Sequence, residues 1–207
     1  MLVIISDLHL TDGTSGTTID PDAFNIFRER LRDLAWAASD RKVDGTNTYD
    51  PIHEIHLILL GDILDVIRST RWLEGSIRPW NKPNAPEFIK KVRDITDAIL
   101  EHNNRALKIL KSLKQNGVQV PMEQVPEGNL DLVKKQAVKV HTYYMVGNHD
   151  WFYHLPGSAF DEIRASIVDA LGLDNKSNEV FPHDLSESDV LKQTCDEHHV
   201  FVRHGDI

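Results

Sequence analysis

The sequence predicts an α/β fold, and three observations carry that expectation. Short apolar runs, Leu2-Val3-Ile4-Ile5, Ile55-His56-Leu57-Ile58-Leu59-Leu60 and Tyr143-Tyr144-Met145-Val146, have the length and bounding breaks of buried strands. Between them, apolar residues recur at three- and four-residue steps, the period of helices that pack by one face. Each run also ends in a short polar motif: Asp7-Leu8-His9, Gly61-Asp62-Ile63-Leu64-Asp65 and Gly147-Asn148-His149-Asp150. The polar groups therefore fall in loops leaving the strands' carboxyl ends, where open α/β sheets bind ligands.

Taken in order, the first strand leads into a Thr/Gly/Ser loop over 11–18. Asp20 then caps a helix with Pro21 at its first position. Phe24, Phe27, Leu31, Leu34 and Ala35 give that helix a packing face to about Ser39. Residues 41–50 are polar and turn-rich around Asp44-Gly45. The second strand delivers the Asp62 motif, and an insertion around 66–138 follows it. Within the insertion, 75–86 is a Pro/Gly loop. One long helix then runs from Glu87, with Phe88, Val92, Ile95, Ile99, Leu107, Leu110 and Leu113 on its apolar steps. Asn116-Gly117 ends that helix. Residues 118–129 form a connection with no assigned element. After the third motif, 160–171 reads as an amphipathic helix closed by Gly172. Residues 173–193 are polar and ambiguous, and 199–203 reads as a last strand that delivers a fourth motif, His204-Gly205-Asp206.

Composition narrows the function classes. At 207 residues the chain suffices for one domain with a full core, so 1–207 is expected to be a single domain. A net charge of −9 argues against a generic nucleic-acid or anionic-membrane surface. It leaves a phosphate substrate open, because bound metal ions dominate local charge in a site. Cys195 is the only cysteine, so no intrachain disulfide forms, which fits a reducing compartment. The opening run is interrupted by Asp7 and lacks a basic n-region, and no apolar stretch reaches membrane-spanning length. The expected location is cytoplasmic.

The motifs carry the chemistry. Asp, His and Asn are oxygen and imidazole donors suited to divalent ions. Asp7 and His9, two residues apart, share a direction on an extended chain and can ligate one ion. Each motif alone also reads as a turn or a strand cap, Gly61-Asp62 and Gly147-Asn148 especially; three of them in order, each after a strand-like run, are hard to obtain by chance. Together with His204-Gly205, the series Asp-x-His, Gly-Asp-x-x-Asp and Gly-Asn-His-Asp resembles the calcineurin-like metallophosphoesterase superfamily. The resemblance runs from Asp7 to the end of the chain, with unmatched sequence between motifs.

That resemblance implies a sandwich of two mixed β-sheets flanked by helices, with two divalent ions (manganese, iron or zinc) at the strands' loop ends. By the family pattern Asp7 and His9 hold one ion, Asp62 bridges both, and Asn148 with His204 holds the other. A metal-bridging hydroxide attacks phosphorus, His149 acts as leaving-group acid, and Asp65 orients His149. Asp65 also reads as a helix N-terminal carboxylate, and Asp150 as a residue that structures its loop. The family's fifth motif, Gly-His-x-His, does not follow Ile207, and Asp196-Glu197-His198-His199 precedes the fourth motif and reads as a partly exposed strand start. A longer natural chain, ligands from a partner protomer and a degenerate, non-catalytic site are the competing explanations. The expectation is a C-terminally incomplete domain with a weakened or half-occupied metal site.

Substrate signals are sparser. Arg68, Arg71 and Arg78, interleaved with Trp72 and Trp80, read either as an anion-receiving pocket or as a solvated loop. Trp151-Phe152-Tyr153 reads as a pocket wall or as packing. The resemblance implies a metal-dependent phosphoester hydrolase acting on a small phosphate ester or nucleotide. The UDP-diacylglucosamine pyrophosphatase branch lacks the long segment between the second and third motifs. A DNA-end-processing nuclease fits the motifs, although the acidic balance disfavours it. A non-catalytic scaffold with a degraded metal site is the alternative from another class.

Overall fold

The computed structural model describes residues 1–17, 19–43, 45–124 and 133–205. Along the chain come β1 (Leu2–Ile5), α1 (Asp22–Ser39), β2 (Asp40–Val43), β3 (Thr46–Tyr49), β4 (Glu54–Leu60), α2 (Pro86–His102), α3 (Asn104–Asn116), β5 (Val118–Pro121), β6 (Lys135–Met145), α4 (Ser158–Leu171) and α5 (Asp189–Glu197). Single 3-10 turns cover Thr70–Leu73, Trp151–His154 and Leu185–Glu187. The fold is mixed α/β. Among the described residues the main sheet has the order β1-β4-β6-β5, and β2 with β3 makes a separate hairpin. Strands β1, β4 and β6 run parallel, while β5 pairs antiparallel with β6.

Parallel pairing explains why the three motif loops meet. Strands that run the same way end at the same edge, so the polar segments after β1, β4 and β6 emerge side by side. β4 is central and buried on both faces, as its unbroken apolar run requires. Its residues alternate: Ile55, Leu57 and Leu59 enter the main core with α1 to α4, while Ile58 enters a smaller core on the other face. That smaller core holds Met145, Leu185, Leu191, Cys195 and Val202.

Four expectations need correcting. The long helix of the insertion is two helices, because Asn103 leaves the pattern. Its buried amide donates to the Thr11 carbonyl at 2.7 Å and to the Ile99 carbonyl at 2.8 Å, fastening the break to the loop after β1. The unassigned connection begins with β5, whose edge position on β6 no local pattern announced; its residues 125–129 lie outside the described residues. The turn-rich stretch 41–50 is largely the β2–β3 hairpin, which ends at Tyr49, with Asp44 outside the described residues. Finally, 199–203 is not a strand of the sheet and 196–199 is not a strand start. Those residues end α5 and turn at His199, φ 53°, after which Val202 is buried and Phe201 is 76% exposed.

Within the insertion, α2 and α3 bury Phe88, Val92, Ile95, Ile99, Leu107 and Leu110 in the main core. They extend the scaffold instead of roofing the cleft. α4 ends as expected, with Gly172 in the left-handed region at φ 69°, ψ 42°. Among the described residues, no helix is long and apolar enough to cross a membrane.

Candidate metal centre

The β1–β4 ladder continues beyond both strands into the motif loops. Asp7 N–H donates to the Gly61 carbonyl (3.1 Å), His9 N–H to Asp62 (2.8 Å), Leu10 N–H to Ile63 (2.9 Å) and Asp65 N–H to Leu10 (2.8 Å). The two loops are thereby zipped together. Along the zip Asp7, His9 and Asp62 adopt positive φ of 55°, 47° and 55°. Side chains beyond glycine occupy that region at a cost, about 1–3 kcal/mol each, and hold it only where the surroundings over-determine it. Three of the four such residues described in this chain lie at this one spot.

The third loop is tied in by Asp150. Its fully buried carboxylate accepts from Gly147 N–H (2.6 Å), Ile63 N–H (2.9 Å) and the Tyr144 hydroxyl (2.5 Å). Burial pushes the Asp150 carboxyl up to about 6, with the Asp62 charge adding to the rise, although all three donors oppose it. Burial likewise drives the Tyr144 phenol well above its ordinary range. Asp150 therefore structures the loop junction, as read from its place in the motif. His149 N–H donates to Asp62 Oδ1 at 2.9 Å, fixing the second and third motifs against each other.

Around this frame the side chains converge. The Nε2 atoms of His9, His149 and His204 lie 3.9, 4.0 and 3.9 Å from Asp62 Oδ2. His204 Nε2 is also 3.5 Å from Asp7 Oδ1. Two sets of potential ligands result, His9–Asp62–His149 and Asp7–Asp62–His204, each with its ligand atoms within 4.8 Å of one another. Asp62 belongs to both. The Ser6 hydroxyl above all holds the Asp7 carboxyl below the ordinary carboxylate range; burial opposes it, and His204 and then His9 add to the lowering.

Behind the imidazoles stands Asp65, whose side chain is fully buried. Its Oδ2 accepts from His9 Nδ1 at 2.9 Å and its Oδ1 from His149 Nδ1 at 2.8 Å. Arg68 adds its backbone N–H at 3.0 Å and its Nε at 3.2 Å. A carboxylate only accepts, so both Nδ1 atoms carry hydrogen, and Nε2 is the atom that each ring turns toward Asp62. Two glycines make room. A Cβ on Gly61 would lie 2.3 Å from the His204 ring, and one on Gly147 would lie 2.4 Å from Asp62 Oδ1.

The open side is a cleft of about 430 Å³ lined by Ser6, Asp7, Asn148, Arg68 and Arg203 besides the histidines. Of the sequence-predicted site residues, Asp7, His9, Asp62, Asp65, His149 and His204 come together. Asn148 lines the same cleft from an exposed position, and Asp206 lies outside the described residues. His149 stands as close to Asp62 as the other imidazoles do, inside one ligand set, where the sequence reading kept it apart from the ligands. The aromatic and basic expectations divide. Arg68 lines the cleft, but Arg71 pairs with Asp12 at 3.2 Å and Arg78 donates to the Trp72, Gly75 and Ile77 carbonyls. Trp72 packs in the core against Phe88 and Phe152, Tyr153 is buried, and Trp80 is 79% exposed. Sequence reasoning missed Ser6, Arg203 and the bond from His9 to Asp65. Ser6 adjoins the first motif and Arg203 the fourth, the one signal that could have found them.

The donor set of carboxylates and imidazoles fits divalent transition ions. No protein-family model, curated protein or solved structure matches this chain.

Proposed function

We propose that this chain is a metal-dependent phosphoester hydrolase. The observation that carries the reading is Asp62 shared between two ligand sets, with His9 and His149 both aimed at it by one buried carboxylate. His9, Asp62 and His149 would hold one ion, and Asp7, Asp62 and His204 a second, with Asn148 within the same cleft as a neutral oxygen donor. When bound, two such ions stabilise phosphoryl oxygens as Lewis acids and supply a water of lowered pKa. The sandwich of two mixed sheets belongs to the same proposal. The sheet face opposite α1 to α4, covered among the described residues by α5 and its flanking turns, is where its second layer would pack.

The chain's own residues then divide the work. Arg68 and Arg203 place positive charge on the rim, matched to an anionic ester despite the net charge of −9. Asp65 fixes the ring planes and the hydrogen on Nδ1 of His149 and His9. In its doubly protonated form His149 carries a proton on Nε2, with Asp65 balancing its charge, and can deliver that proton to a leaving alkoxide. Help of this kind is worth about 10²–10⁴-fold. The same ring, unprotonated, is a ligand, and the pH profile of a His149→Gln chain separates the two roles. Loss of metal affinity marks the ligand, and loss of rate with metal retained marks the acid.

The test is hydrolysis of nitrophenyl mono- and diesters by this chain with added manganese, before and after chelation. Chelator-sensitive turnover that disappears in Asp62→Asn supports the proposal. Metal binding with no turnover of either ester class would point to a scaffold and sink it.

A further inference from the structure

A second cluster with metal-ligand chemistry lies away from the cleft. His154 ends the 3-10 turn after the third motif, His183 precedes the turn Leu185–Glu187 and Glu187 ends it. Ligand atoms of the three residues lie within 4.8 Å of one another. The rings of His154 and His183 meet edge-on, with centroids 5.0 Å apart.

Each member is held as a ligand needs to be. His154 Nδ1 is 2.9 Å from the Phe181 carbonyl, which can only accept, and 3.7 Å from Glu187 Oε2. The hydrogen of that bond is on Nδ1, which leaves Nε2 as the ligand atom of the ring, the arrangement by which outer partners orient metal-bound histidines. The backbone around His154 is clamped by the buried Arg164, which donates to the Tyr153 carbonyl at 2.9 Å and the Leu155 carbonyl at 2.7 Å. Glu187 is fixed by His183 N–H, which donates to its Oε2 at 3.0 Å. His183 Nδ1 is buried and lies 2.8 Å from Glu187 Oε1, but at an angle outside hydrogen-bond geometry. This close approach of a ring nitrogen and a carboxylate oxygen brings two ligand atoms of different chemistry to one spot. Metal–nitrogen and metal–oxygen bonds of about 2.0–2.2 Å bring such atoms to roughly 3 Å from each other.

We propose that His154, His183 and Glu187 bind a further divalent ion of zinc type. Two imidazoles and one carboxylate suit such an ion, and solvent completes its coordination. The ion would fasten the 181–187 segment to the turn after Asp150, a junction already marked by Phe181 N–H to the Tyr153 carbonyl (3.2 Å) and Val146 N–H to the Pro182 carbonyl (2.8 Å). This site stands or falls independently of the hydrolase reading.

Equilibrium dialysis of the whole chain against Co²⁺, read by total metal and by visible absorption, tests the site. His154→Gln and His183→Gln are each expected to bind one equivalent fewer than the unsubstituted chain, while Asp62→Asn retains that equivalent. Addition of Zn²⁺ to the isotopically labelled unsubstituted chain is expected to move the ring signals of both His154 and His183. That reading needs no substitution, so it holds where a variant unfolds. Unchanged Co²⁺ stoichiometry in a folded His183→Gln chain, or ring signals that stay put on adding Zn²⁺, overturns the site.

Discussion

Asp12 and Asp65 are both fully buried carboxylates in loops that follow strands, and they do opposite things. Asp12 accepts from the Thr14 N–H and hydroxyl, the Ser69 hydroxyl and Arg71, all of which end at Asp12 or turn back into the same loops. Asp65 accepts from two imidazoles whose far nitrogens face Asp62 and the cleft. Burial and saturation of hydrogen bonds are the same in both. What differs is whether the partner has a second working end, and that separates a carboxylate that builds a loop from one that builds a site.

Substitutions can break or sharpen this contrast. The largest effect is expected where the two ligand sets overlap. Asp62→Ala should abolish metal retention and ester hydrolysis together, as read by metal analysis after gel filtration and by turnover. Next comes Asp65→Asn, which keeps the shape but replaces one accepting oxygen by a donor. Activity should fall about 10²–10⁴-fold, with far-UV circular dichroism unchanged; a rate within threefold of the parent would show that Asp65 is merely structural. Asp12→Asn should do the reverse, lowering stability by about 1–3 kcal/mol in urea melts with the activity of the folded fraction intact.

Asp12 also sets a pH dependence. Burial pushes its carboxyl up, but the Ser69 and Thr14 bonds and Arg71 outweigh burial and hold it below the ordinary range. A lowered folded value means the stabilisation is present above the unfolded value, about 3.9, and is lost as pH falls through the folded one. Asp12→Asn should therefore narrow the difference in urea midpoint between pH 7 and pH 3. The smallest effect is expected at the rim. Arg68→Ala should raise KM for a phosphate ester several-fold, with a smaller change in kcat from its loss as a partner of Asp65.

The sequence made the central parts of this arrangement legible because they are local. Apolar runs of four to six residues bounded by Gly, Asp and Asn state their own strands, and parallel order brings their carboxyl ends to one edge. It could not say that Asp65 serves His9 as well as His149, since those partners lie 56 and 84 residues away. It named Asn148 as a ligand and kept His149 apart as an acid, whereas the structure groups His149 with His9 and Asp62, a long-range arrangement tied by His149 N–H meeting Asp62. The break at Asn103 was hidden for the same reason: its cause is the Thr11 carbonyl, 92 residues away. α5 was missed because its region is polar, and its three buried residues, Leu191, Thr194 and Cys195, are too few to display a period.

The two glycines beside His204 have a consequence for how this centre tolerates change. At Gly61 and Gly147 the histidine ring and the shared carboxylate occupy the volume that any other residue's first side-chain carbon needs. Gly61 also has φ 68°, a backbone state that other residues adopt only with strain. An alanine at either place meets the His204 ring or the Asp62 carboxylate and backbone at distances that real Cβ atoms do not tolerate, so these groups would have to shift. The floor of the cleft is thus closed to gradual remodelling, and substitution is left to the rim, where Ser6, Arg68, Asn148 and Arg203 line the opening.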